Sequence, residues 1–139
     1  MRVFLDTNVL LDVLLARQPS YAASAAAWTS VESGRHIGGI SAISFNNAYY
    51  LIRRSKGDAE ARKAIATMRG FFEVVPLDAS ILDGAIGSPL KDFEDAIQWF
   101  SAQRMAADFL ITRNDGDFPQ GIPEVMTPTM FLAIGSASP

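Results

Sequence analysis

The stretch "MRVFLDTNVLLD" (residues 1–12) decides the fold. "RVFL" (2–5) is a short apolar run that ends at Asp6, and it reads as a buried strand. "NVLLDVLLA" (8–16) follows at once with apolar residues at helical spacing, and Pro19 closes it. A strand thus hands over to a helix with a carboxylate at the joint.

The rest of the chain repeats the alternation. "SYAASAAAWTSVESG" (20–34) predicts an alanine-rich helix from a Ser cap to Gly34, and "HIGGI" (36–40) a strand with a glycine pair. "AISFNNAYYLIRRSKG" (42–57) predicts a helix with basic residues and Gly57 at its C-terminus, and "DAEARKAIATMRG" (58–70) another from an Asp cap to a Gly stop. A strand at 72–77 and a short capped helix at 78–88 come next, then a longer helix at 92–107 and a strand at 108–112. A short strand at 124–128 and a last helical segment at 129–135 complete the pattern. Continuous apolar runs such as "RVFL" and "FLIT" suit strands covered on both faces. The expectation is an α/β fold: a three-layer α/β/α sandwich around a mostly parallel sheet of four to five strands, one domain over 1–135 with a frayed tail at 136–139.

Composition limits the chemistry. With 139 residues, 49% hydrophobic and 19% charged, the chain is long enough for one substantial core. It has no cysteine and a single histidine, His36, which excludes disulfides, thiolate sites and zinc sites built on several histidines. No apolar run has the length of a membrane span, and Asp6 interrupts what would be a signal peptide's apolar region, so the expected location is the cytoplasm. Net charge is −3, yet residues 53–69 carry +4 locally through Arg53, Arg54, Lys56, Arg62, Lys63 and Arg69 against Asp58 and Glu60. Such a stretch suits phosphates, or simply a solvated helix face.

Three acidic clusters stand out. In an open parallel α/β sheet, ligands bind beyond the carboxyl ends of the strands. Asp6 stands at such an end, and in "ITRNDGDF" (111–118) Asn114, Asp115 and Asp117 follow another strand. In "DFEDAIQ" (92–98), Asp92, Glu94 and Asp95 begin the helix that feeds that strand, so its N-terminus returns to the same edge. Each cluster alone has an ordinary structural reading: Asp6-Thr7-Asn8 and Asp92 as helix caps, "NDGD" as a turn. Together they predict a rim of oxygen ligands. Clustered carboxylates repel unless a cation joins them, and Asp and Asn oxygens suit Mg²⁺ or Mn²⁺. Such an ion activates water for phosphodiester hydrolysis without histidine or cysteine.

These residues resemble the PIN domain family, and within it the VapC-like toxin components of bacterial type II toxin–antitoxin pairs. "FLDTNVLLD" (4–12), "DFEDAIQ", "LITRNDGDF" (110–118) and "TPTMFL" (127–132) match the family's motifs in order, over nearly the whole chain. The resemblance implies a Mg²⁺- or Mn²⁺-dependent endoribonuclease, a homodimer, and an antitoxin protein partner. It implies Asp6, Asp95 and Asp117 as metal ligands. Asn47, in "SAISFNNAYY" (41–50), stands in the slot where many members carry glutamate, and is counted with the catalytic set. Asn114, Asp92, Glu94, Thr112 and Asn8 take auxiliary places, and Arg53, Arg54 and Lys56 are candidates to hold the RNA backbone. The loss of a charge at Asn47 lowers the expected metal affinity and keeps a second reading open, a weak or inactive PIN-like binding module. A haloacid-dehalogenase-like phosphatase would need an acid two residues after Asp6, where the chain has Asn8.

Overall fold

A computed structural model describes residues 1–137. Five strands form one sheet: β1 (Arg2–Leu5), β2 (Ile37–Ser41), β3 (Glu73–Val75), β4 (Phe109–Ile111) and β5 (Glu124–Met126). Their order is β3-β2-β1-β4-β5, and every pairing is parallel. Among the described residues, six α-helices lie between the strands and a seventh follows the last: α1 (Thr7–Leu14), α2 (Tyr21–Glu32), α3 (Ala42–Lys56), α4 (Asp58–Phe71), α5 (Ala79–Ile86), α6 (Phe93–Arg104) and, after β5, α7 (Pro128–Ala137).

Alternation along the central strands builds the three layers. Val3 and Leu5 of β1, with Phe109 and Ile111 of β4, pack on one side among Leu10, Trp28, Ile52, Met68 and Phe131 of α1, α2, α3, α4 and α7. Phe4 and Leu110 point the other way, into Ile81, Ile97, Trp99 and Ala102 of α5 and α6. The chain winds outward from β1 to β3, then crosses back to β4 on the far side of β1. Right-handed crossovers put the helices of the two directions on opposite faces, as the two cores require.

The glycine pair of β2 lets both layers approach closely. A Cβ on Gly38 would lie 2.6 Å from a Val31 methyl and 2.9 Å from the Phe72 ring, and one on Gly39 would collide with the Met105 sulfur.

Several boundaries differ from the expected ones. α1 begins at Thr7 and ends at Leu14, with Ala16 in the left-handed region at φ 49°. Gly57, not Asp58, occupies the N-cap of α4, and the Asp58 carboxylate instead takes Tyr49 and Arg62. α7 runs to Ala137, so the expected tail at 136–139 overlaps this helix, and its last residues, 138–139, lie outside the described residues. Among the described residues no helix is long and apolar enough to cross a membrane.

Candidate active site

The switch in strand order falls between β1 and β4, and parallel sheets leave a crevice at the carboxyl ends of such a pair. A cavity of about 590 Å³ opens there. Its walls carry Asp6, Asn8, Asn47, Asp92, Glu94, Asp95, Asn114 and Asp117, with Tyr50 and Arg54 from α3 and Arg17 from the loop after α1. The acids thus come together from β1, the start of α6 and the turn after β4. A second hollow of about 540 Å³ adjoins it, sharing Asp92, Asp95 and Asp117. The carboxylates therefore sit along a continuous depression.

Asp6 occupies the N-cap of α1, but its side chain makes no capping bond. It is 4% exposed, and its Oδ2 accepts the Thr112 hydroxyl at 2.8 Å. Burial pushes its carboxyl up from 3.8 to about 6, against the lowering by Thr112, while Glu94 and Asp92 add to the rise. Asp92 is the residue that caps: its Oδ1 accepts the Asp95 N–H at 2.9 Å. That bond sets the first turn of α6 and with it Asp95, which is buried. Burial first, then the charges of Asp6, Asp92, Asp117 and Glu94, push the Asp95 carboxyl up to about 7.

Asn47 projects from α3 and donates its amide to Glu94 Oε1 at 3.1 Å. Asn8 donates to Thr112 Oγ1 at 3.3 Å and accepts the Arg113 N–H at 3.3 Å. Its amide is thus engaged in holding the β4 loop, which leaves no general acid for the phosphatase reading. The Asn114 N–H also donates to Thr112 Oγ1, at 3.1 Å. Asp117 ends a 3-10 turn (Asp115–Asp117) and stays exposed at the cavity mouth. Of the three basic candidates only Arg54 lines the cavity; Arg53 and Lys56 lie in the same last turn of α3 and do not.

Two polar groupings have no signal in the local sequence. Thr7, Ser44 and Gln98 meet beneath the site, with Thr7 Oγ1 and Ser44 Oγ 2.7 Å apart and the Gln98 amide donating to both at 3.4 Å. Asp12 is buried, accepts the Ser24 hydroxyl at 3.0 Å and pairs with the Arg113 guanidinium, whose Nε lies 2.8 Å away.

The donor set is all oxygen and carries raised carboxyls, which suits a hard divalent cation. Among the described residues no three His, Cys, Asp or Glu side chains converge closely enough to clasp an ion by themselves. Mg²⁺ tolerates that, since it keeps several waters and uses one or two carboxylates.

The sequence pattern of the PIN domain family matches residues 2–116. No curated protein matches the chain. Among solved structures, a toxin–antitoxin complex from Klebsiella pneumoniae is 26% identical, with a TM-score of 0.67 over 91% of this chain and 97% of that one. VapBC2 from Rickettsia felis, bound to a DNA fragment from its promoter, is 16% identical, with a TM-score of 0.66 over 91% and 98%. VapC20 from Mycobacterium tuberculosis, a sarcin–ricin loop cleaving toxin, is 15% identical, with a TM-score of 0.63 over 78% and 86%. With the family pattern matching residues 2–116 and the fold shared over 91% of its length, the chain belongs to the PIN domain family.

Proposed function

We infer that this PIN domain is a Mg²⁺- or Mn²⁺-dependent endoribonuclease, the toxin of a toxin–antitoxin pair. The observation that carries the reading is the convergence of Asp6, Asp95 and Asp117, from three distant segments, on one open cavity. These three would hold the cation, directly or through its bound waters. A cation bound there neutralises phosphoryl charge and lowers the pKa of water, the chemistry that phosphodiester hydrolysis needs.

The chain's own residues do the positioning. Thr112 engages one oxygen of Asp6, whose side chain lines the cavity. Asp92 fixes the turn that presents Asp95, and Asn47 holds Glu94 at the wall. Arg17 and Arg54 bring guanidinium groups to the rim, where they would pair with backbone phosphates; Arg53 and Lys56 extend that charge along α3. The Klebsiella relative, a toxin–antitoxin complex, supports an antitoxin partner, and the Mycobacterium neighbour, a sarcin–ricin loop cleaving toxin, agrees with RNA as substrate. A homodimer is the expected assembly, which light scattering on the purified protein tests.

The deciding experiment is a calorimetric titration of Mn²⁺ into the wild type and Asp95→Asn, followed by RNA cleavage with Asp6→Asn as control. Binding lost in Asp95→Asn, with cleavage that needs the cation and disappears in Asp6→Asn, is the expected result. No Mn²⁺ binding up to millimolar, with and without RNA, would establish the other reading, a PIN-like binding module. That reading draws on the neutral Asn47 and on the absence of a closed cage among the described residues.

A further inference from the structure

Asp12 is a buried carboxylate outside the cavity wall, and the site described above makes no use of it. It lies on α1 one turn after Asn8, so the two side chains share a helix face. Both reach the loop that follows β4. Asn8 accepts the Arg113 N–H, and Asp12 Oδ2 forms an ion pair with Arg113 Nε 2.8 Å away. Ser24 of α2 donates to the same oxygen at 3.0 Å, while Oδ1 of Asp12 is buried without a hydrogen-bond partner.

This arrangement is poorly explained by stability. Asp12 is 1% exposed and Arg113 38% exposed, so the carboxylate loses its water and the guanidinium keeps much of its own. A buried ion pair adds little net stability, because the cost of taking the carboxylate out of water offsets the attraction, and an apolar side chain often serves as well. The ion pair does something an apolar residue cannot: it holds Arg113 at a fixed place. Arg113 sits between Thr112, which binds Asp6, and Asn114, whose N–H returns to Thr112.

We propose that Asp12 is a positioning residue: through Arg113 it locks the segment 112–117 so that Thr112 and Asp117 face Asp6 and Asp95. The proposal rests on reading those acids as a cation site. A second contact from the same helix face, Asn8, marks the loop as clamped in two places. Loss of one clamp therefore loosens the segment without unfolding the domain.

The test compares the wild type with Asp12→Asn, Arg113→Gln and the double variant. Arg113→Gln alters a half-exposed side chain and keeps the test valid even if Asp12→Asn folds poorly. Amide hydrogen exchange is followed peptide by peptide, and Mn²⁺ affinity by calorimetry on the folded protein, with Asp95→Asn as the binding-null control. Either single variant should speed exchange in 112–118 while 2–5 and 37–41 stay protected. Either should weaken Mn²⁺ about tenfold, as lost support behind a metal ligand does. The double variant should be no worse than the singles, because both break one contact. Unchanged exchange in 112–118 would overturn the proposal. So would faster exchange with wild-type Mn²⁺ affinity, which reduces Asp12 to a structural residue. A wild type that binds no Mn²⁺ would remove the cation site itself, and the positioning role with it. Binding that Asp95→Asn abolishes and Asp12→Asn leaves intact overturns only the role of Asp12.

Discussion

In the absence of divalent cations, Asp6→Asn should make the protein more stable at pH 8. Asp6 ionises only reluctantly in the fold, because burial raises its carboxyl from 3.8 to about 6. A raised acid favours the folded state while protonated. The stability is therefore present below about pH 4 and is lost as pH climbs through 6. Above that, the ionised Asp6 costs the fold about 3 kcal/mol. Asparagine keeps a carbonyl for the Thr112 hydroxyl and never ionises. Its charge is also removed from Asp95, whose carboxyl is raised by burial and next by Asp6, so the two effects act in one direction. A gain of about 3 kcal/mol corresponds to about 10 °C in Tm for a domain of this size. Urea unfolding in EDTA at pH 4 and pH 8 measures it. The two proteins should coincide at pH 4 and separate at pH 8, with the variant ahead. Saturating Mn²⁺ should then close the gap: at one hundred times its Kd a ligand adds about 2.7 kcal/mol to the wild type and nothing to a variant that cannot bind it. A variant equal to or weaker than the wild type at pH 8 in EDTA would refute the claim that the Thr112 hydrogen bond only partly offsets the burial of the Asp6 charge.

Thr112→Val should lose about 1–3 kcal/mol in urea unfolding at pH 8, since it leaves the buried Asp6 oxygen unpaired, whereas Thr112→Ser should stay close to the wild type. Gly39→Ala should cost about 1–3 kcal/mol through overpacking against Met105, and the thermal midpoint of Gly39→Ala with Met105→Ala should lie nearer that of Met105→Ala alone than simple addition gives. Arg54→Gln should lower the salt dependence of RNA binding by about one counterion, read from the slope of log K against log salt, while Lys56→Gln, off the cavity wall, should change it less.

Most strands and helices were legible because they are short and punctuated by glycine, proline and capping residues. "RVFL" and "FLIT" read as strands covered on both faces, and two cores do cover them. The gathering of acids at one edge was legible too, since it follows from parallel strands and a helix running back between them. What local sequence could not separate was capping from exposure to the site. Asp6 and Asp92 both precede a helix, yet only Asp92 caps, because Thr112 arrives from 106 residues away to claim the Asp6 carboxylate. The Asp12–Arg113 pair and the Thr7–Ser44–Gln98 group were invisible for the same reason. Each is a polar residue on an otherwise apolar stripe, and its partner is set by tertiary contact alone. Of the basic residues ending α3, periodicity marked an exposed turn but not that Arg54 alone would face the cavity.

The central position of β1 has a consequence in time. Its partners in the sheet are β2, made soon after it, and β4, made more than a hundred residues later. A chain leaving the ribosome thus presents Asp6 and Asn47 early but lacks Thr112 and Asp117 until β4 and the turn after it are made. Until then the edge of β1 that β4 will cover stays open. The domain closes like a clasp whose second half comes only with β4 and the turn after it, and no chain stopped before Asp117 holds the full set of acids.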